Sequence, residues 1–262
     1  MKMTNTKIPF QVILVILGTP LFFYFDSVSF NTLFPYGQWI SNFLMLFVYT
    51  WFYWVGNQKI RLMLLIMAVV SAFFEILASL VMTWYSYRLG TIPLYIPLGH
   101  AIVFTTIYYL HKQPFLRINT YWLELLFYIF IILICTGSLY FLHDTCGLIC
   151  FLVFLALIRY RQNKLFYLIM FFMVLYLEVI GTNFQSWAWY SVIGNHLDYV
   201  HTANPPSGVA GLYMVIDLSI SYCYLYVKKL KRYYSRTSQS PYSTSLKLIL
   251  RILARQSILY LW

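Results

Sequence analysis

Three carboxylic acids define the chemistry this chain could do. Glu75, Glu178 and Asp217 each stand inside a run of apolar residues. A carboxyl in hydrocarbon is expensive, and intramembrane acids mark functional sites by default. No lysine or arginine lies deep in the same runs, so none of the three has an obvious cationic partner. A carboxyl held neutral by such surroundings is a proton donor, as a general acid must be. Helical spacing of i, i+4, i+7 and i+11 aligns Glu178 with Thr182, Gln185 and Trp189 in one stripe. The matching stripe around Glu75 holds Ser71, Ser79 and Ser86, while Tyr213 and Ser221 flank Asp217 by one turn each. His100 falls in the outer half of its own run.

The expected roles follow. Glu178 is the candidate general acid and Glu75 its partner base or a second acid, with Asp217 and His100 orienting water or a headgroup. Thr182, Gln185, Trp187, Trp189, Tyr190, Tyr213, Trp84 and Tyr87 are the candidate walls for a hydrophobic small molecule. Two other classes use the same residues. In a proton-coupled or lipid-moving carrier the glutamates are proton sites at a repeat interface. In a non-catalytic assembly protein the polar stripes only join helices, at about 0.6 kcal/mol per contact. If Glu178 did no more than suffer desolvation, leucine in its place would be neutral or stabilising.

Metal and cofactor chemistry is not expected. His196-x-Asp198-x-x-His201 has metal-ligand residue types without the third and fourth ligands such sites need. Cys146 and Cys150 are one helical turn apart with no further ligand to complete a zinc set. No nucleotide loop is present.

The elements that must position these residues are membrane helices. Of 262 residues, 61% are hydrophobic and 10% charged, where soluble domains carry about 25% charged residues. The net charge of +11 does not imply nucleic acid, because the basic residues fall in gaps between apolar runs and in the tail. Apolar runs occupy about 8–25, 38–56, 62–87, 93–110, 120–142, 146–158, 165–190 and 206–227. Most approach the length of about 20 residues that a spanning helix needs, and 146–158 is the weakest. No small-residue cleavage site follows the first run, so it is expected to be retained. Placing the N-terminus inside leaves Arg88 as the single outer basic residue and 17 of 18 inside (18 − 1 = 17). The expectation is an all-α, multi-pass protein of about eight spans in a bacterial cytoplasmic (inner) membrane, both termini cytoplasmic, with membrane lipids as partners. Lys247, Arg251 and Arg255 form one basic stripe on an apolar tail, which suits a helix lying on the anionic inner leaflet.

An internal match divides the chain. Glu75 corresponds to Glu178 (178 − 75 = 103), and the same offset pairs Arg61 with Lys164, Ser79 with Thr182, Trp84 with Trp187 and Tyr87 with Tyr190. The reading is two parallel four-span repeats, 1–112 and 113–227, followed by a basic tail, 228–262. Parallel repeats are related by an axis along the membrane normal, with the site at their interface.

Glu178-Val179-Ile180-Gly181, followed by Trp187-Ala188-Trp189-Tyr190 and Gly194, resembles the Glu-x-x-Gly … Tyr-x-Tyr … Leu-Gly pattern of membrane carotenoid-biosynthesis proteins of the hydratase type. Glu75 followed by Trp84-Tyr85-Ser86-Tyr87-Arg88-Leu89-Gly90 and Ile96-Pro97 is similar. The resemblance covers two stretches and departs between Asn183 and Ser186, where the family pattern has a second glycine. It implies water addition to, or rearrangement of, an isoprenoid, begun by protonating a carbon–carbon double bond.

Overall fold

In hydrocarbon a chain must satisfy its own backbone hydrogen bonds, and a helix does so within one run. The computed structural model, which describes residues 8–193 and 200–237, follows this rule almost throughout. Its elements are α1 (Ile8–Phe25), α2 (Val28–Leu33), α3 (Gly37–Val55), α4 (Gln58–Glu75), a π-helical turn (Ile76–Val81) and β1 (Tyr85–Tyr87). They continue with α5 (Tyr95–Leu110), α6 (Pro114–Ile118), α7 (Thr120–Leu142), α8 (Thr145–Ile158), α9 (Lys164–Asn183), β2 (Trp187–Trp189) and α10 (Ala210–Thr237).

Four helical stretches are long and apolar enough to cross a membrane: Gln58–Val81, Thr120–Leu142, Lys164–Asn183 and Ala210–Val227. Phe10–Phe25, Tyr95–Leu110 and Thr145–Ile158 are apolar but shorter. The 14 residues of α8 rise about 21 Å at 1.5 Å per residue, against a hydrocarbon core of about 30 Å. α3 is 19 residues long, but its tryptophans, tyrosines, Gln38, Ser41 and Asn42 lower its hydropathy. The amphipathic tail around Lys247–Arg255, His196 and Asp198 lie outside the described residues.

Side chains close the helix ends and breaks. Asn57 caps α4 by accepting the Ile60 N–H at 3.0 Å. The Arg61 guanidinium donates to the carbonyls of Tyr53, Trp54 and Gly56, groups that the end of α3 leaves unpaired. Pro20 lacks the N–H that would bond the carbonyl of Ile16. The Tyr176 hydroxyl of α9 donates to that carbonyl instead, at 2.5 Å, and so ties α1 to the second half of the chain. The core lies where α7, α8, α9 and α10 meet, around the fully buried Ile131, Phe154, Leu168, Phe171, Val174 and Met214.

All-α must be corrected at one place. Runs 62–87 and 165–190 do not stay helical to their ends. The helices stop at Val81 and Asn183, and the chain then passes through Thr83 (φ 48°) and Gln185 (φ 57°). A left-handed residue cannot continue a right-handed helix. The aromatic segments that follow pair as an antiparallel ribbon in the register Tyr85–Trp189, Ser86–Ala188 and Tyr87–Trp187. Arg88 N–H donates to Ser186 O at 3.0 Å and Tyr190 N–H to Trp84 O at 3.1 Å, extending the ladder equally at both ends. The pairing is therefore symmetric about Ser86 and Ala188.

The symmetry has its own offset. Thr83 matches Gln185 and Tyr85 matches Trp187 at 102 residues (185 − 83 = 102; 187 − 85 = 102), one fewer than the glutamates. The π-helical turn Ile76–Val81 absorbs the extra residue, since its hydrogen bonds span one residue more than those of an α-helix.

Candidate active site

Side chains alternate across a strand, so Tyr85, Tyr87, Trp187 and Trp189 all point to one face of the ribbon. That face looks onto the two glutamates. Glu75 Oε2 accepts from the hydroxyls of Tyr85, at 2.7 Å, and Tyr87, while its Oε1 lies 2.9 Å from His100 Nε2. Glu178 Oε2 accepts from the indole N–H of Trp187 at 2.9 Å and of Trp189 at 3.1 Å. Its Oε1 accepts from the Tyr213 hydroxyl at 3.3 Å. The two cups touch, because His100 of the first stacks on Tyr213 of the second with ring centroids 4.7 Å apart. Glu75 and Glu178 are buried, at 6% and 4% exposure.

The donor types assign the protons. An indole N–H can only donate, so Glu178 Oε2 carries lone pairs and a proton on this residue sits on Oε1 beside Tyr213. On Glu75 the two phenols occupy Oε2, leaving Oε1 and His100 Nε2 to share a proton. Burial, and then the neighbouring Glu75, push the Tyr85 and Tyr87 phenols well above the ordinary tyrosine value, so both remain donors at neutral pH.

Both glutamates line one apolar cavity of about 500 Å³, closed at this end by the ribbon. Its other walls come from α1, α3, α4, α5, α9 and α10. Leu14 and Leu21 of α1, Leu44 and Phe47 of α3, and Met82 lie on its lining and are 40% exposed or more. The rim is thus made of exposed apolar side chains.

The structure divides the residues singled out from sequence. Glu75, Glu178, His100, Trp84, Tyr87, Trp187, Trp189 and Tyr213 line the cavity. Thr182 is buried but bonds its own helix, donating to the Glu178 carbonyl at 2.8 Å. Gln185 is exposed and occupies the left-handed turn, so the Glu178–Trp189 alignment is not a helical stripe; Trp189 reaches the carboxyl by folding back on β2. Tyr190 contributes a backbone bond to the ribbon and does not line the cavity. Asp217 is also absent from the lining. It is 5% exposed, one of its carboxyl oxygens lacks a partner, and it lies within electrostatic reach of Arg161 and Tyr167. The expected role beside the glutamates does not apply to it.

Sequence reasoning missed Tyr85 and two acidic clamps. Asp26 pairs with Arg88 at 2.6 Å and accepts from the Tyr95 hydroxyl at 2.5 Å, holding β1 to the end of α1 and the start of α5. The available signal was Arg88 itself, the one basic residue left on the outer side. Asp144 caps α8 through Gly147 N–H and also accepts the N–H groups of Ala203, at 3.1 Å, and Ser207, at 2.7 Å. It thereby fixes the Asn204–Gly208 segment, from which Asn204 Oδ1 accepts the Trp189 N–H at 2.9 Å. Gly181 acquires a reason as well: a Cβ there would overlap the six-membered ring of Trp187.

Comparison with protein-family models, with curated proteins and with solved structures returns no match.

Proposed function

We propose that this protein is an intramembrane enzyme doing acid–base chemistry on an isoprenoid or related lipid. One observation carries the reading. Two buried carboxyls, each held by three polar partners, stand together at the end of an apolar cavity whose rim is exposed and apolar. The isoprenoid class comes from the resemblance to carotenoid hydratase-type proteins, and the cavity's apolar, aromatic lining agrees with it.

Glu178 gives the proton on Oε1 to one carbon of a double bond. A C–H bond forms, the π pair is consumed, and the neighbouring carbon becomes cationic. The ring faces of Trp187, Trp189 and Tyr85 stabilise that cation. Water then adds through a new C–O bond, and Glu75 with His100 takes the proton it releases. The net reaction is addition of one water, after which Glu75 with His100 gives up its proton to water and Glu178 takes one from water before the next turnover. Loss of a proton from carbon in place of water addition gives a rearranged double bond.

The same proposal includes eight crossings in two parallel repeats, both termini cytoplasmic. Supporting it, Asp26, Arg88, Ser186 and Asn204 are tied together at one end of the bundle. Lys59 and Lys112 approach the Tyr108 ring at the other. The symmetric ribbon and the paired cups support the repeats.

The test compares lipid extracts of cells with and without the gene by mass spectrometry, then with Glu178→Gln. A species heavier by one water on an isoprenoid, lost in Glu178→Gln, supports the enzyme. Wild-type lipid composition in the Glu75→Gln, Glu178→Gln double variant would leave both residues as packing groups and end this reading.

A further inference from the structure

A second cavity, of about 420 Å³, opens at the end of the bundle opposite the ribbon, between the end of α5 and the turn from α8 into α9. Tyr108, His111, Arg161, Gln162, Asn163 and Tyr167 supply its polar surface. None of its lining residues is acidic. Its lining cation is Arg161, of the α8–α9 turn. Beside the cavity, Lys112 lies 3.6 Å from the centre of the lining Tyr108 ring and Lys59 approaches the same ring at 6.0 Å. No carboxylate lies within ion-pair distance of Arg161 among the described residues. Its guanidinium lies 5.8 Å from the Tyr167 ring centre, leaving its hydrogen-bond donors for a ligand.

The backbone agrees with the side chains. α9 begins at this turn with no side-chain cap and no acid in its first turn, so its free N–H groups and positive end face the same side. The carboxyl ends of α5 and α8 also lie here, and their carbonyls are occupied: those of Ile107, Tyr109 and Leu110 by His111, Lys112 and Gln113, that of Ile158 by Arg161. His111 Nδ1 lies 3.2 Å from the Ile107 carbonyl, which leaves Nε2 for a bound group. Asp217, with one unpartnered oxygen, is the acid within electrostatic reach of Arg161.

We propose that this basin binds a phosphate-type anion, either the headgroup of a membrane lipid or a free phosphate or diphosphate. The site is separate from the glutamate cavity. Along α5 the two are 11 residues apart (111 − 100 = 11), about 16 Å at 1.5 Å per residue. It therefore stands or falls independently of the acid–base reading.

The experiment uses the full chain in detergent titrated calorimetrically with inorganic pyrophosphate, and in parallel tests binding to phosphatidylcholine vesicles with and without phosphatidic acid. Saturable binding in the first arm assigns a free anion; binding only to the phosphatidic acid vesicles assigns a headgroup. In whichever arm responds, Arg161→Gln should weaken binding by at least about tenfold, since a charge-assisted bond is lost. Lys229→Gln, an exposed tail position, should leave it unchanged. His111→Gln gives a second reduction that does not depend on the folding of the Arg161 variant. Equal losses in Arg161→Gln and Lys229→Gln would show only the general positive charge of this face, and absence of binding in both arms would overturn the proposal.

Discussion

Replacing Glu178 by leucine removes the acceptor from three buried donors at once. The indoles of Trp187 and Trp189 lie 2.9 and 3.1 Å from Oε2, and the Tyr213 hydroxyl 3.3 Å from Oε1. Leaving a buried donor without an acceptor costs about 1–3 kcal/mol. Tyr213 has the longest bond and a hydroxyl that can turn, so the two indoles set the scale, about 3 kcal/mol together. Desolvation alone predicts that leucine is neutral or stabilising; the donors reverse that sign. Glutamine behaves differently. Its amide oxygen in place of Oε2 keeps both indole bonds, and its amide nitrogen can donate to Tyr213, so its cost stays within about 1 kcal/mol. In a protein of this size each kcal/mol moves the melting temperature by about 2–4 °C. Thermal unfolding in detergent, followed by circular dichroism, should therefore fall by about 6–12 °C for leucine and by less than about 4 °C for glutamine. On the proposed acid–base reading, both variants lose the transferable proton and both should lose turnover. A leucine variant as stable as wild type would refute the reasoning, because the indoles would then be satisfied without the carboxyl.

Other outcomes follow from the same contacts. Gly181→Ala should push Trp187 off Glu178 and cost about 1–3 kcal/mol of overpacking, read as a lower melting temperature with shifted tryptophan fluorescence. Arg88→Ala leaves Asp26 buried without its cation and should destabilise by about 3–5 kcal/mol, whereas Lys229→Ala, on an exposed side chain, should change the melting temperature little. Reporter fusions after Lys59, Lys112, Lys164 and Arg236 should read cytoplasmic, and those near Asp26, Gly90 and Asp144 the outer side. An outer signal at Lys164 would remove the α8 crossing and with it the parallel repeat.

The helices were largely legible because an apolar run has one way to satisfy its backbone in lipid. Their starts and most of their ends lie within a few residues of the hydropathy edges. The ends at Val81 and Asn183 were not legible, because Trp84, Tyr85, Tyr87, Trp187 and Trp189 extend the apolar signal past the break. The break itself uses Thr83 and Gln185, which carry none of the glycine signal that usually marks a left-handed turn. The paired glutamates could be found by spacing, but their donors could not, since strand pairing across about a hundred residues leaves no local pattern. Asp217 has the same type and surroundings in sequence as the glutamates, and only the fold separates it from them. Asp26 and Asp144 give no sequence signal, because much of what they bind is backbone or distant in sequence.

The ribbon has a consequence for biosynthesis. Its first strand emerges from the ribosome about 100 residues before its partner, which at about 5–20 residues per second is a wait of about 5–20 s. Throughout that interval Tyr85 and Tyr87 offer an unpaired strand edge, and Glu75 stands in a cup that nothing covers. The cavity is complete only when the last third of the chain has been inserted, so a nascent chain stalled after α8 displays an open strand edge beside a buried acid. Membrane quality control would meet the protein in that form, and a chain arrested there should be degraded faster than one arrested after β2.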